Sequence, residues 1–132
     1  MQGNDIHYSL NQKRNYQCHE YRFINDLLFL ELFTRRVDRE ENILMVLRIS
    51  DNEIQQIKIF EDNFSYFFHS NVIDLMNGSV AIITDKKIDI FNGSEIDRTI
   101  EIDDKIRCAT AIPKGLVTVN CKSEIKIYPF LI

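Results

Sequence analysis

Between Asn71 and Ile102 the chain runs NVIDLMNGSVAIITDKKIDIFNGSEIDRTIEI, apolar stretches separated by tight polar breaks, which reads as four short β-strands joined by three turns. Ile96, Ile100 and Ile102 share one parity while Glu95, Asp97, Thr99 and Glu101 take the other, the period of a strand with one wet face. Val80 to Ile83 is apolar at every position and is expected to be buried on both faces. Asn77-Gly78 and Asn92-Gly93 can take the positive φ of type I′ hairpin turns, and Asp85-Lys86-Lys87 supplies the third break.

The same pattern extends on both sides. LLFLELFTRRV from Leu27 admits a helix capped by Asp26, but its neighbours ILMVLRIS (43–50) and EIQQIKIF (53–60) are extended runs across short polar breaks, so strand is preferred. FSYFFH (64–69) reads as another strand. After the central module come IRCATAI, a Pro113-Lys114-Gly115 turn, LVTVN, a turn at 121–123 and EIKIYPFLI. A hairpin about that Pro-Lys-Gly turn sets Cys108 opposite Val119. Residues 1–25 are the least legible, with DIHYSL and YQCHEYRF as candidate strands.

Ile57-Lys58-Ile59-Phe60, Ile88-Asp89-Ile90-Phe91 and Ile125-Lys126-Ile127-Tyr128 are three copies of one tetrapeptide pattern; they begin at 57, 88 and 125, so successive copies start 31 and 37 residues apart. An apolar strand and a turn precede each copy: VLRIS then Asp51, AIIT then Asp85, TVN then Cys121. This unit, over residues 42–132, resembles the WD40-type β-propeller repeat. The resemblance covers one full blade and parts of two others, and Asp51 and Asp85 match the family's turn Asp. There is no Trp, the Gly-His dipeptide is missing, and Glu61, Asn92 and Pro129 stand where the family has Asp.

The expected fold is therefore all-β: antiparallel meander modules resembling a small or partial β-propeller, with a two-layer β-sandwich as the alternative. It is read as one β-repeat domain over 1–132, with 1–25 as an N-terminal segment and 26–70, 71–102 and 103–132 as blade-like units. Three or four such modules leave sheet faces and edges to be covered. Residues 1–41 can supply a further blade, the strands can close as a sandwich, or a partner can cover them.

At 132 residues and 45% hydrophobic the chain can build a core without staples. A net charge of -4 argues against a generic polyanion binder. The opening lacks a secretory h-region and no run reaches roughly 18 apolar residues. With three cysteines in no paired spacing, free thiols and an intracellular location, cytoplasmic or nuclear, are expected, with no membrane association.

Candidate chemistry is sparse. Cys18-His19 invites a nucleophile or metal reading, yet strand neighbours point to opposite faces, and His7, His69, Cys108 and Cys121 add no ligand spacing. The acidic pairs Glu40-Glu41 and Asp103-Asp104 fall in turns, where solvated tips are the ordinary outcome. None of the common phosphate-binding, hydrolase or metalloprotease signatures occurs. No catalytic residue, metal site or cofactor is implied.

Two stretches can carry binding. Phe64, Tyr66 and Phe68 share a face on a strand, and Phe130, Leu131 and Ile132 are apolar side chains that need a sheet or a partner to dock on. Lys13, Arg14, Tyr16, Tyr21 and Arg22 interleave basic and aromatic groups, a mixture suited to phosphate contact and base stacking. The leading expectation is a non-catalytic protein-protein interaction or scaffold subunit of a larger intracellular assembly, able to self-associate. The alternative is an RNA- or ribonucleoprotein-associated factor using the N-terminal region, and an enzyme with a site between blades is third.

Overall fold

The computed structural model describes residues 16–35, 40–61 and 72–129. Eleven strands and no helix occur among them: β1 (Gln17–Ile24), β2 (Leu27–Arg35), β3 (Glu40–Ile49), β4 (Ile54–Phe60), β5 (Val72–Asp74), β6 (Val80–Ile83), β7 (Lys87–Phe91), β8 (Ile96–Glu101), β9 (Ile106–Ile112), β10 (Gly115–Asn120) and β11 (Ile125–Pro129). They form three antiparallel meanders, β1-β2-β3-β4, β5-β6-β7-β8 and β9-β10-β11. The chain, read above as one repeat domain, separates into two compact units, 1–61 and 62–132.

The first sheet starts at Gln17, so the unit placed at 26–70 begins earlier than its sequence suggested. Asn25-Asp26 is not a boundary or a helix cap but the two-residue turn of the β1-β2 hairpin, with Ile24 opposite Leu27 and Asn25 at a φ of 59°. Asparagine tolerates that left-handed conformation better than most residues. On one face of this sheet Leu32, Ile43, Met45 and Leu47 form a buried cluster, with Tyr16, Leu28, Leu30 and Ile59 packed around it.

In the second unit the two sheets pack on one core. Ala81, Ile83, Ile88 and Ile90 from β6 and β7 meet Ile106 and Leu116 from β9 and β10, flanked by Ile100, Ile102 and Tyr128. Each isoleucine fully buried there contributes about 1.5–3 kcal/mol. Val80 to Ile83 is buried at every position, as its unbroken apolar run requires.

The turns are made differently from the two-residue form. Asp74 pairs with Val80 across a five-residue loop, and Phe91 with Ile96 across a four-residue loop. Gly78 and Gly93 do take positive φ, but Asn77 and Asn92 do not. Their side-chain oxygens instead accept from backbone N–H groups ahead, Ser79 for Asn77 and both Ser94 and Glu95 for Asn92. That is the Asx-turn use of asparagine, which satisfies donors that a tighter turn would have paired across the strands. Thr84 does the same at the 84–87 turn, its hydroxyl accepting from Lys86 and Lys87.

The three tetrapeptide copies lie on β4, β7 and β11, and their last three residues keep one register against the strand before, while a register shift between Val46 and Leu47 skips Ile57 in the first copy. Phe60, Phe91 and Tyr128 stand opposite Leu44, Val80 and Leu116; Ile59, Ile90 and Ile127 stand opposite Met45, Ala81 and Val117. The repeated unit is thus a structural hairpin as well as a sequence motif.

Candidate interaction surface

The shared register does not give the three copies shared surroundings. Ile88 and Ile90 on β7 are buried, because β7 has a neighbour on both sides and a second sheet across its face. On β11 the equivalent Ile125 and Ile127 are 71% and 62% exposed. β11 is an edge strand whose described neighbour is β10 alone. Pairing places Ile125 beside Val119 and Ile127 beside Val117, both half-buried, so the four side chains share one apolar sheet face. Cys108, opposite Val119 as the hairpin reading required, and Thr110 continue that face onto β9.

A second uncovered apolar patch lies on the first sheet. Tyr21 and Phe23 of β1 are 67% and 60% exposed and sit opposite Leu30 and Leu28, which are half-buried. Exposed aromatics beside aliphatic side chains are what an interface anchor needs, since they combine large area with few rotors to freeze.

The basic and aromatic residues of the N-terminal region do not converge. Tyr16 packs against the Leu32, Ile43, Met45 and Leu47 cluster, and Tyr21 stands on that same sheet face. Arg22, the next residue along the strand, falls on the opposite face beside Phe29. Lys13 and Arg14 lie outside the described residues, as do Phe64, Tyr66, Phe68, Phe130, Leu131 and Ile132.

Among the described residues, groups able to do chemistry are scattered. No three His, Cys, Asp or Glu side chains gather as a metal ion would need. A pocket of about 270 Å³ opens between the 75–77 loop and the 111–115 turn, and its lining carries no His, Cys or acidic side chain. Cys18 is free, its Sγ donating to Glu20 O at 3.4 Å. Desolvation raises its pKa, and the nearby Glu20 and Glu31 charges add to the rise, against a lowering from a backbone hydrogen bond with Glu20. A thiol held protonated is a poor nucleophile and a poor metal ligand.

Asp85 has Oδ2 3.8 Å from Lys105 Nζ. Asp89 is fully buried: its Oδ1 accepts from the Thr99 hydroxyl at 2.6 Å and its Oδ2 lies 3.5 Å from Lys87 Nζ. That carboxylate ties β7 to β8 and is used structurally.

Sequence reasoning missed Phe23, Ile125 and Ile127 as surface residues. The Ile-Lys-Ile of β11 reads like the buried copy on β7, but its isoleucines lie on the sheet face opposite the one that Leu116 and Tyr128 turn to the core. The chain matches no protein-family model, and comparison with curated proteins and with solved structures finds no match. No helix among the described residues is long and apolar enough to cross a membrane.

Proposed function

We propose that this chain is a non-catalytic protein-protein interaction module, a WD40-like partial propeller whose uncovered sheet surfaces are completed by protein partners in a larger intracellular assembly. The observation that carries the reading is the exposure of Tyr21, Phe23, Ile125 and Ile127 on ordered strands, each beside further apolar side chains. Scattered exposed hydrophobics are ordinary, but side chains contiguous across a sheet are associated with binding. The repeated hairpin register and the meander order support the propeller-like array over the two-layer sandwich.

Sedimentation velocity over a concentration series tests it. The purified chain should self-associate, and Tyr21→Ser with Phe23→Ser should reduce that association while leaving the circular dichroism spectrum unchanged. A wild-type chain that stays monomeric at every concentration contradicts the proposal.

A further inference from the structure

The two sheets of the second unit are built on one plan and differ in one place. In the order β5-β6-β7-β8, strand β7 carries the repeated tetrapeptide and β8 lies along its outer edge. In the order β9-β10-β11, strand β11 carries the same pattern as Ile-Lys-Ile-Tyr in the same register, and no described strand lies along its outer edge. β8, itself an edge, is blunted by exposed Asp97, Arg98, Thr99 and Glu101, the usual protection against further pairing. β11 carries less of that protection: exposed Ile125 and Ile127 flank a single exposed charge, Lys126, before Pro129 ends the strand.

We propose that the outer edge of β11 is a strand-addition site, taking one extended segment of a partner protein that runs antiparallel to Ile125–Pro129. The segment sets apolar side chains beside Ile125 and Ile127 and an acidic one beside Lys126. This deepens the interaction reading and rests on it.

The β7-β8 pair supplies the template, with Ile88 opposite Ile100, Asp89 opposite Thr99 and Ile90 opposite Arg98. Transferred to β11, the residue in the Thr99 place meets Lys126, and the one in the Glu101 place meets Glu124. Charge complementarity therefore asks for an acid at the first and a base at the second, because opposite charges directly across strands attract and like charges repel. Main-chain hydrogen bonds give such an addition its affinity, and the alternating side chains give its selectivity.

The probe is a labelled synthetic octapeptide of residues 95–102 bearing Arg98→Val, Thr99→Glu and Glu101→Lys, titrated into the full chain by fluorescence anisotropy and followed by amide hydrogen exchange. Binding should slow exchange at Ile125–Tyr128, and a control peptide with Thr99→Lys should bind about fivefold more weakly. Lys126→Glu in the chain should invert that preference, a readout that loss of folding cannot mimic. Equal binding of both peptides by the wild-type chain overturns the proposal. So does slow exchange of Ile125–Tyr128 in the free, dilute chain, since the chain's own residues then fill the place. Competition between the peptide and self-association at β11 overturns it in favour of a second copy. Protection at Tyr21 and Phe23 instead overturns the edge assignment while leaving the interaction reading intact; a concentration-independent monomer that binds neither peptide removes both.

Discussion

Asp89 is the sharpest internal test of how the second sheet is held. A carboxylate with no exposure to water needs local compensation: Oδ1 accepts the 2.6 Å hydrogen bond from Thr99, and Oδ2, which has no hydrogen bond, has the 3.5 Å approach of Lys87. A hydrogen bond to a charged acceptor contributes about 1.5–3 kcal/mol. Breaking a buried ion pair costs about 3–5 kcal/mol, much of it for the charge left behind. Lys87 keeps a third of its side chain in water and can turn outward, so Asp89→Ala belongs near the bottom of that range, about 3 kcal/mol. Against a domain stability of about 5–15 kcal/mol this is a large loss. Thr99→Val removes the donor alone and should cost about 2 kcal/mol. The cycle completed by the double variant should give a coupling of about 1.5–3 kcal/mol, read from urea midpoints at unchanged slope. A coupling below about 0.5 kcal/mol would show that water replaces Thr99, and would refute the claim that this pair ties β7 to β8.

Four further outcomes follow from the geometry. Gly115→Ala would set a Cβ 2.7 Å from the Tyr128 carbonyl oxygen, a backbone atom that cannot rotate away, so the end of the β10-β11 hairpin must open at a cost of about 1–3 kcal/mol in urea unfolding. Lys114→Gly relieves a left-handed backbone, φ 69°, and after the entropy that glycine adds to the unfolded chain should stabilise by about 0.5–1 kcal/mol, seen as a higher melting temperature. Asn120→Ala removes the acceptor of the Lys122 and Glu124 N–H groups from a buried position, and should cost about 2 kcal/mol while raising amide exchange through 121–124. Because desolvation raises the Cys18 pKa, its thiolate fraction at pH 8 falls below that of an unperturbed thiol; iodoacetamide should alkylate it more slowly than a free model peptide, the two rates converging only at higher pH.

Much of the strand order could be read from alternation, since period two survives wherever one face is wet. In β8 and just past its end the isoleucines Ile96, Ile100 and Ile102 are half-buried and Asp97, Thr99 and Glu101 are exposed, as their parity required. YQCHEYRF was readable as a strand and β1 lies there, but a register shift between Cys18 and Glu20 breaks the period inside it, so its place in the first sheet was not. The loops at Asn77 and Asn92 were located but not sized: the dipeptide fixes which residue can take positive φ, whereas loop length depends on which side chain satisfies the free N–H groups. The uncovered surface was the least legible part. Whether Ile90 or Ile127 is buried depends on what lies across the sheet, and an identical local pattern carries no record of it.

The central claim, that uncovered apolar strands are where this chain meets its partners, is tested most directly by a photo-crosslinking amino acid placed at Phe23, at Ile127 and, as a polar control, at Asp97 in cells that make the protein. The account predicts discrete adducts from positions 23 and 127 that excess unlabelled chain competes away, and none from 97. Adducts of equal yield at all three positions, or none at 23 and 127 from a chain that sediments as a monomer, would contradict it.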